Sequence, residues 1–225
     1  MHADNPLKTI LFDLDGTLIN SLPAYILSFQ QNIREVTGRD VPAGELAARI
    51  SIPTPQILAY YAAPEQIPAM VARHNELMRQ NAGAITFYPG VPDALRSLRA
   101  AGLKLGVVTS QIAGEIATAR AVMNADDLID VWINSDMVAH PKPAADPVLL
   151  ALELLGENAE TALMVGDSIY DLGAGRAAGV RTAAVTWGFT ALPDLLAAAP
   201  HLLLHHPAEL AQLPHLWAQN PTGLR

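Results

Sequence analysis

The chain contains no cysteine. A disulfide framework, a thiol nucleophile and a thiolate metal site are therefore all excluded. Charge is scarce as well: 16% of the 225 residues are Asp, Glu, Lys or Arg, against about a quarter in an average soluble domain. That shortage does not amount to a membrane span. The uncharged stretch Leu195 to Ala208 is interrupted by Pro200, His201, His205 and His206, and it falls short of the roughly 20 apolar residues a spanning helix needs. Met1 to Pro6 has neither the basic region nor the following apolar run of a signal peptide. A soluble, cytoplasmic protein with no membrane partner is expected. Cations are the rarer sign, 14 Lys and Arg against 22 Asp and Glu, for a net charge of −8. No Lys/Arg cluster is visible, which argues against a nucleic-acid partner. An anionic ligand would need a cation recruited locally, so the placement of the Asp residues becomes the question.

Short apolar runs supply the frame. Thr9-Ile10-Leu11-Phe12 ends in Asp13-Leu14-Asp15-Gly16-Thr17. Leu103 to Val108 ends in Thr109-Ser110, Ala162 to Val165 in Gly166-Asp167-Ser168, and Arg181 to Val185 in Thr186-Trp187-Gly188. Uninterrupted runs of this length suit strands buried on both faces. Between them lie segments of helical spacing: Val91 to Ala101, Ile112 to Met123, Asp146 to Leu155 and Tyr170 to Ala178. The alternation from Pro89 onward predicts an α/β fold with a parallel sheet and helices on both faces. The segment from about Ser21 to Ala84 differs. It holds helical candidates at Pro23 to Thr37, Pro42 to Ile50, Pro55 to Ala62 and Pro64 to Asn81, with no strand-like run between them. This predicts an all-helical insertion over 18–85 in a core formed by 1–17 and 86–225, with hinges near Leu18 to Leu22 and Gly83 to Pro89. The tail is expected to add a strand at His201 to Leu204 and a helix at Pro207 to Leu213.

In an open parallel sheet, ligands bind beyond the carboxyl ends of the strands. Those ends carry Asp13 and Asp15, Thr109 and Ser110, and Asp167 with Asp171; Lys142, in His140-Pro141-Lys142-Pro143, lies close enough before a helix to join them. Several carboxylates in one place repel one another unless a cation is present. Hard oxygen ligands with open positions favour Mg²⁺. Such an ion, with Lys142, the Thr109 hydroxyl and the backbone amides after Asp13, would neutralise a phosphate. Gly16 suits a tight turn whose amides approach an anion. Other motifs read as packing. Gly173-Ala174-Gly175 lacks the third glycine of a dinucleotide fingerprint and suits close helix packing. The tail histidines have no metal-ligand spacing, and Trp132, Trp187 and Trp217 suit packing roles.

These four motifs, in this order, resemble those of the haloacid dehalogenase superfamily, and the helical insertion lies where that family's type-one cap is found. The layout is most similar to the phosphoglycolate-phosphatase-like branch. The resemblance implies a Rossmann-like core and a Mg²⁺-dependent phosphatase for a small phosphorylated metabolite such as phosphoglycolate. It also implies roles. Asp13 becomes the nucleophile that carries an aspartyl phosphate, and Asp15 the acid and then the base. Thr109, the Ser110 amide and Gly16 contact phosphate, and Lys142 offsets charge. Asp13, Asp167, Asp171 and the main-chain carbonyl of Asp15 surround the metal. Within the family, dehalogenases lack an Asp at the position of Asp15 and transport ATPases carry Thr there, so Asp15 favours a phosphatase or mutase. In the cap, Asn20, Arg49, Ser51 and Thr54 fall where substrate contacts are expected, although the glycine usual in that loop is missing from Arg49-Ile50-Ser51-Ile52-Pro53-Thr54. A β-phosphoglucomutase-like mutase, an inorganic pyrophosphatase and a non-catalytic binding protein are the alternatives. A monomer or homodimer is expected.

Overall fold

β1, Thr9–Phe12, is closed off from solvent along its whole length in the computed structural model, which describes residues 5–50 and 54–220. Its side chains alternate between two apolar layers. Ile10 and Phe12 join one hydrophobic cluster and Leu11 the other, as the two-residue period of a strand requires. β2 (Ile19–Asn20) follows, and then the helical block: α1 (Leu22–Thr37), α2 (Ala43–Ala47), α3 (Thr54–Leu58) and α4 (Ile67–Gln80). After β3 (Thr86–Phe87) the chain alternates through α5 (Val91–Ala100), β4 (Lys104–Val108), α6 (Ala113–Met123), β5 (Val131–Ile133), α7 (Asp146–Leu155), β6 (Ala162–Gly166), α8 (Ile169–Ala177), β7 (Arg181–Val185), α9 (Leu192–Ala197), β8 (Leu202–Leu204) and α10 (Leu213–Gln219). Six strands form one parallel sheet in the order β5-β4-β1-β6-β7-β8. This is a doubly wound, Rossmann-like α/β fold.

Periodicity explains the helices that cover the sheet. α5 buries Val91, Ala94, Leu95 and Leu98, the i, i+3, i+4, i+7 stripe of an amphipathic helix. α8 approaches the sheet at Gly175, where an added Cβ would come 2.7 Å from Thr182 Cγ2 and 2.9 Å from Met164 Cβ. Close packing is therefore the use of that glycine. Among the described residues, no helix is long and apolar enough to cross a membrane.

Several elements differ from expectation. β5 is three residues, two of them only partly buried, too short to stand out as an apolar run. The expected helix at Pro42 to Ile50 shrinks to Ala43–Ala47, and that at Pro55 to Ala62 to Thr54–Leu58. Pro64 to Asn81 divides into a 3₁₀ turn, Pro64–Gln66, and α4. The tail segment Pro207–Gln212 is 3₁₀, and the α-helix begins only at Leu213. The joins between helical block and sheet form a small antiparallel hairpin, with Ile19 opposite Phe87 and Asn20 opposite Thr86.

The helical block has an apolar core of its own, built on Phe29, Ile33, Val41, Leu46, Ile57, Leu58 and Met70. Leu18, Ile19, Ala24 and Ile85 pack instead with the sheet-side cluster. Inside the helical core lies His74, 1% exposed, its ring 4.1 Å from that of Phe29 and 5.8 Å from that of Tyr25. Neither ring nitrogen has a hydrogen-bond partner among the described residues. Burial lowers its pKa from 6.5 to about 4. Between those values the unfolded chain binds a proton that the folded chain refuses. Stability therefore falls as pH drops below about 6.5, and the loss levels off below about 4. At pH 5 the His74 contribution to that loss is about 2 kcal/mol. In urea unfolding at pH 7.5 and pH 5, His74→Leu should shrink the difference between the two pH values by about that amount. An undiminished difference would assign the acid sensitivity to other groups.

Candidate active site

β1 lies between β4 and β6, and the strand order runs outward from it in both directions. The crevice at such a reversal is where an open α/β sheet takes its ligand. The residues that follow the three central strands are Asp13, Thr109 and Asp167, which are 7%, 3% and 3% exposed.

Lys142 ties this edge together. Its Nζ donates to Asp13 Oδ1 at 2.6 Å, to Asp171 Oδ1 at 2.5 Å and to the Val108 carbonyl at 3.0 Å. All three of its hydrogens are thus used, and its side chain is only 3% exposed. Burial by itself would lower the Lys142 pKa, but the charges of Asp13 and Asp171 and the hydrogen bonds to them reverse this and raise it. The ammonium group is fixed in its charged form.

Asp171 is held at the start of α8. The Ser168 hydroxyl donates to its Oδ2 at 2.6 Å and the Ser168 amide at 3.0 Å, while the Asp171 amide donates back to Ser168 Oγ at 3.2 Å. This is a capping box, and the other oxygen of the same carboxylate accepts from Lys142. Asp167 accepts the Phe189 amide at 2.7 Å and the Thr17 hydroxyl at 3.4 Å. Burial raises its pKa to about 7, with the Asp171 charge adding to it. Asp13 is raised well above the ordinary carboxylate range by burial first and then by Asp171, against the opposing pull of Lys142.

Asp13, Asp167 and Asp171 each bring one carboxylate oxygen within 4.8 Å of the others. Among the described residues, three buried carboxylates face a single ammonium group, an excess of two negative charges when all are ionised. Burial is the main reason the pKa values of Asp13 and Asp167 are raised, and the Asp171 charge adds to it. An all-oxygen donor set with an excess of negative charge fits Mg²⁺. The carboxylate of Asp15 is not in the cluster. It turns toward Gln111, whose Nε2 donates to its Oδ2 at 2.8 Å, while its Oδ1 is buried without a partner among the described residues. Burial raises Asp15 to about 6.

The remaining expected residues fall in different places. Thr109 is buried beside the cluster, and its Oγ1 accepts the Gln111 amide at 3.1 Å; Ser110 is exposed. The expectation of an anion-facing Gly16 amide is corrected, because that amide donates to the Ile19 carbonyl at 2.9 Å. What Gly16 supplies is a positive φ of 83° and room for Asp167, since a Cβ there would lie 2.5 Å from Asp167 Oδ2. Asn20 sits in the hairpin opposite Thr86. Arg49 lies at the end of the segment after α2. Its guanidinium donates to the Glu45 carbonyl at 2.6 Å and stacks over the Tyr60 ring at 5.0 Å, within the helical block. Thr54 opens α3, and Ser51 lies outside the described residues.

Four groups at the site were not assigned a role there from the sequence. Gln111 holds Asp15, Thr17 and the Phe189 amide hold Asp167, and Trp187 donates from Nε1 to the Thr17 carbonyl at 3.1 Å. Thr17 belongs to the Asp13-Leu14-Asp15-Gly16-Thr17 motif and could have been read from it. Gln111 and Phe189 carry no signal, because the contacts they make span 96 and 22 residues of chain.

Comparison with known proteins gives the same picture. The family model described as "Haloacid dehalogenase-like hydrolase" matches residues 10–185. The chain is 33% identical over 217 residues to Probable phosphatase IndB of Dickeya dadantii, covering 92% of this chain and 93% of that one. It is 31% identical over 210 residues to Pyrophosphatase PpaX of Bacillus pumilus (92% and 96%) and 30% identical over 208 residues to Phosphoglycolate phosphatase of Aquifex aeolicus (92% and 96%). Its fold matches the crystal structure of a predicted phosphoglycolate phosphatase from Haemophilus somnus with a TM-score of 0.84 at 22% identity, over 92% of this chain and 97% of the other. With the family's four motifs gathered at one sheet edge, the chain belongs to the haloacid dehalogenase-like hydrolases and is an enzyme of their phosphatase kind.

Proposed function

We propose that the protein is a Mg²⁺-dependent phosphatase that hydrolyses a small phosphomonoester through an aspartyl phosphate on Asp13, with residues 18–85 acting as the cap over the site. The observation that carries this reading is the bond from the Lys142 ammonium group to Asp13 Oδ1. It occupies one oxygen of the nucleophile and leaves Oδ2 to attack.

The chemistry is mostly positioning and charge stabilisation, as in other phosphoryl transfers. Asp13 Oδ2 forms a bond to phosphorus as the bond from phosphorus to the leaving oxygen breaks. Asp15, two residues on, gives its proton to that oxygen. Burial brings its carboxyl to about 6, so a protonated fraction is present near neutral pH. The resulting Asp15 carboxylate takes a proton from the water that releases phosphate and restores Asp13. Gln111 keeps Asp15 aimed, and Lys142 holds the nucleophile and offsets the charge on the phosphoryl oxygens. Asp13, Asp167, Asp171 and the main-chain carbonyl of Asp15 would hold Mg²⁺, which supplies positive charge for the phosphate oxygens. The relatives' names differ in substrate, so what they support is the reaction rather than one ester; phosphoglycolate and pyrophosphate belong in any test panel.

Two measurements check the reading. Asp13→Asn should reduce Mg²⁺-supported hydrolysis of p-nitrophenyl phosphate to background, and wild-type activity should vanish in excess EDTA and return with Mg²⁺. A near wild-type rate for Asp13→Asn would rule the mechanism out. Asp15→Asn should lose about 10²–10⁴-fold in kcat on an alkyl phosphate such as glycerol 2-phosphate. It should lose much less on p-nitrophenyl phosphate, whose leaving group departs without a proton. Equal losses on both esters would remove Asp15 from the role of acid.

A further inference from the structure

Asp15 is held differently from the other acids of the site. Asp13 and Asp171 are tied to the Lys142 ammonium group, and Asp167 accepts an amide and a hydroxyl. Among the described residues, the one aligned hydrogen bond to the Asp15 carboxyl is the 2.8 Å bond from Gln111 Nε2. The buried Ser21 hydroxyl also bears on that carboxyl, but it makes no aligned bond with any described residue. The last torsion of an Asp side chain has only a broad preference of its own, so the direction of the Asp15 carboxyl is set by its partner. That partner is itself fixed. The Gln111 side chain is buried, its backbone amide donates to Thr109 Oγ1 at 3.1 Å, and its carbonyl accepts twice from Ser135, from the amide at 2.9 Å and the hydroxyl at 3.0 Å. Ser135 opens the 3₁₀ turn Ser135–Met137 that follows β5. Bonds on either side join the same two loops: the Thr109 amide donates to the Ile133 carbonyl at 2.9 Å, and the Ala113 amide to Asp136 Oδ2 at 2.8 Å. None of these bonds uses the Gln111 side chain.

Resting on the phosphatase reading above, we infer that Gln111 is a positioning residue for the proton transfers of Asp15, and that Ser135 acts on the same step from the turn after β5 by fixing Gln111. The link runs from a hydroxyl at the edge strand, through a backbone carbonyl and a side-chain amide, to the acid. Its effect falls on the steps in which Asp15 is aimed at the leaving oxygen or at water. Removing the side-chain amide takes away the partner of Asp15 and keeps the bond from the Gln111 backbone to Thr109, so the groups that meet the phosphate stay in place.

Two esters separate this role from a structural one. The alkoxide leaving group of glycerol 2-phosphate needs a proton, and that of p-nitrophenyl phosphate does not. The quantity to follow is the ratio of kcat/KM for the first ester to that for the second, measured with Mg²⁺. Gln111→Met has a similar length and no donor, and should lower the ratio about tenfold. Ser135→Ala should lower it by a smaller factor, because the Ser135 amide still holds the Gln111 carbonyl. Both rates come from one protein, so partial unfolding cancels, and a general weakening of phosphate binding slows both esters alike. Gln111→Asn, polar but one methylene too short to keep the bond, is the second variant should Gln111→Met not fold, and the same fall is expected. In Asp15→Asn the ratio is already low, and adding the Gln111 change should lower it no further, since both act on one step. An unchanged ratio in the Gln111 variant, or a further fall in the Asp15→Asn background, would overturn the positioning role. An unchanged ratio in Ser135→Ala would overturn the part given to Ser135. Failure of the wild type to hydrolyse either ester would instead overturn the phosphatase reading, and a wild-type ratio in Asp15→Asn would overturn the acid role of Asp15 on which the inference rests.

Discussion

The Lys142 ammonium group lies buried between Asp13 and Asp171, and the rest of the site is arranged around that charge. Its three hydrogens go to two carboxylates and to the carbonyl that ends β4. Residues 129 and 29 positions away are thereby pinned to one point. A buried ammonium group is tolerable only when its hydrogens are all bonded and its charge is met. The condition runs both ways, since Asp13 and Asp171 would otherwise repel each other inside the fold. Even so the balance stays negative once Asp167 is added, and Asp13 and Asp167 are shifted upward by burial first and by the charge of Asp171 second. The site carries an excess of negative charge that a cation would meet.

Bringing three carboxylates so close needs backbone with nothing in the way. Gly16 and Gly188 crowd Asp167, and Gly166 crowds Asp171; a Cβ at any of the three would collide with a carboxylate side chain. Only Gly16 of these three also needs its freedom of φ. The turn after β1 thus does something other than offer its glycine amide to an anion. It clears space for the acid contributed by β6, and Thr17 from the same turn donates to that acid. The loop after β7 closes over Asp167 from the other side through the Phe189 amide, and Trp187 fastens that loop back to the carbonyl of Thr17.

Two buried polar groups show how similar physics takes different meaning with position. His74 sits in the apolar core of the helical block with both nitrogens unmatched. It stays neutral and packs as an aromatic disc against Phe29, so its unmet capacity is a cost that grows as the pH falls. Gln111 is also buried and half matched, but it lines a cleft between the helical block and the sheet domain and holds Asp15 with its other amide atom. The distinction is topological: His74 lies inside one layer, and Gln111 lies at the boundary between two.

What could be read from the chain alone is local and periodic. The run Thr9–Phe12 followed by Asp13-Leu14-Asp15-Gly16-Thr17, the stripe in α5 and the strand ends at Thr109 and Asp167 each depend on a few adjacent residues, so strand, helix and the chemistry of each strand end were legible there. Short or partly buried elements were not: β5 carries too few buried residues for a pattern, and helices of the block between β2 and β3 are shortened by context that spacing does not encode. The partners were also decided by the tertiary structure. That Arg49 spends its guanidinium on Glu45 and Tyr60, that the Gly16 amide turns to Ile19, and that Gln111 reaches Asp15 are consequences of which surfaces meet. A sequence determines which groups a chain can offer, because their chemistry is in the side chain. Which of them are already satisfied, and which are left open for a ligand, depends on distances between residues far apart along the chain, and only the folded arrangement sets those.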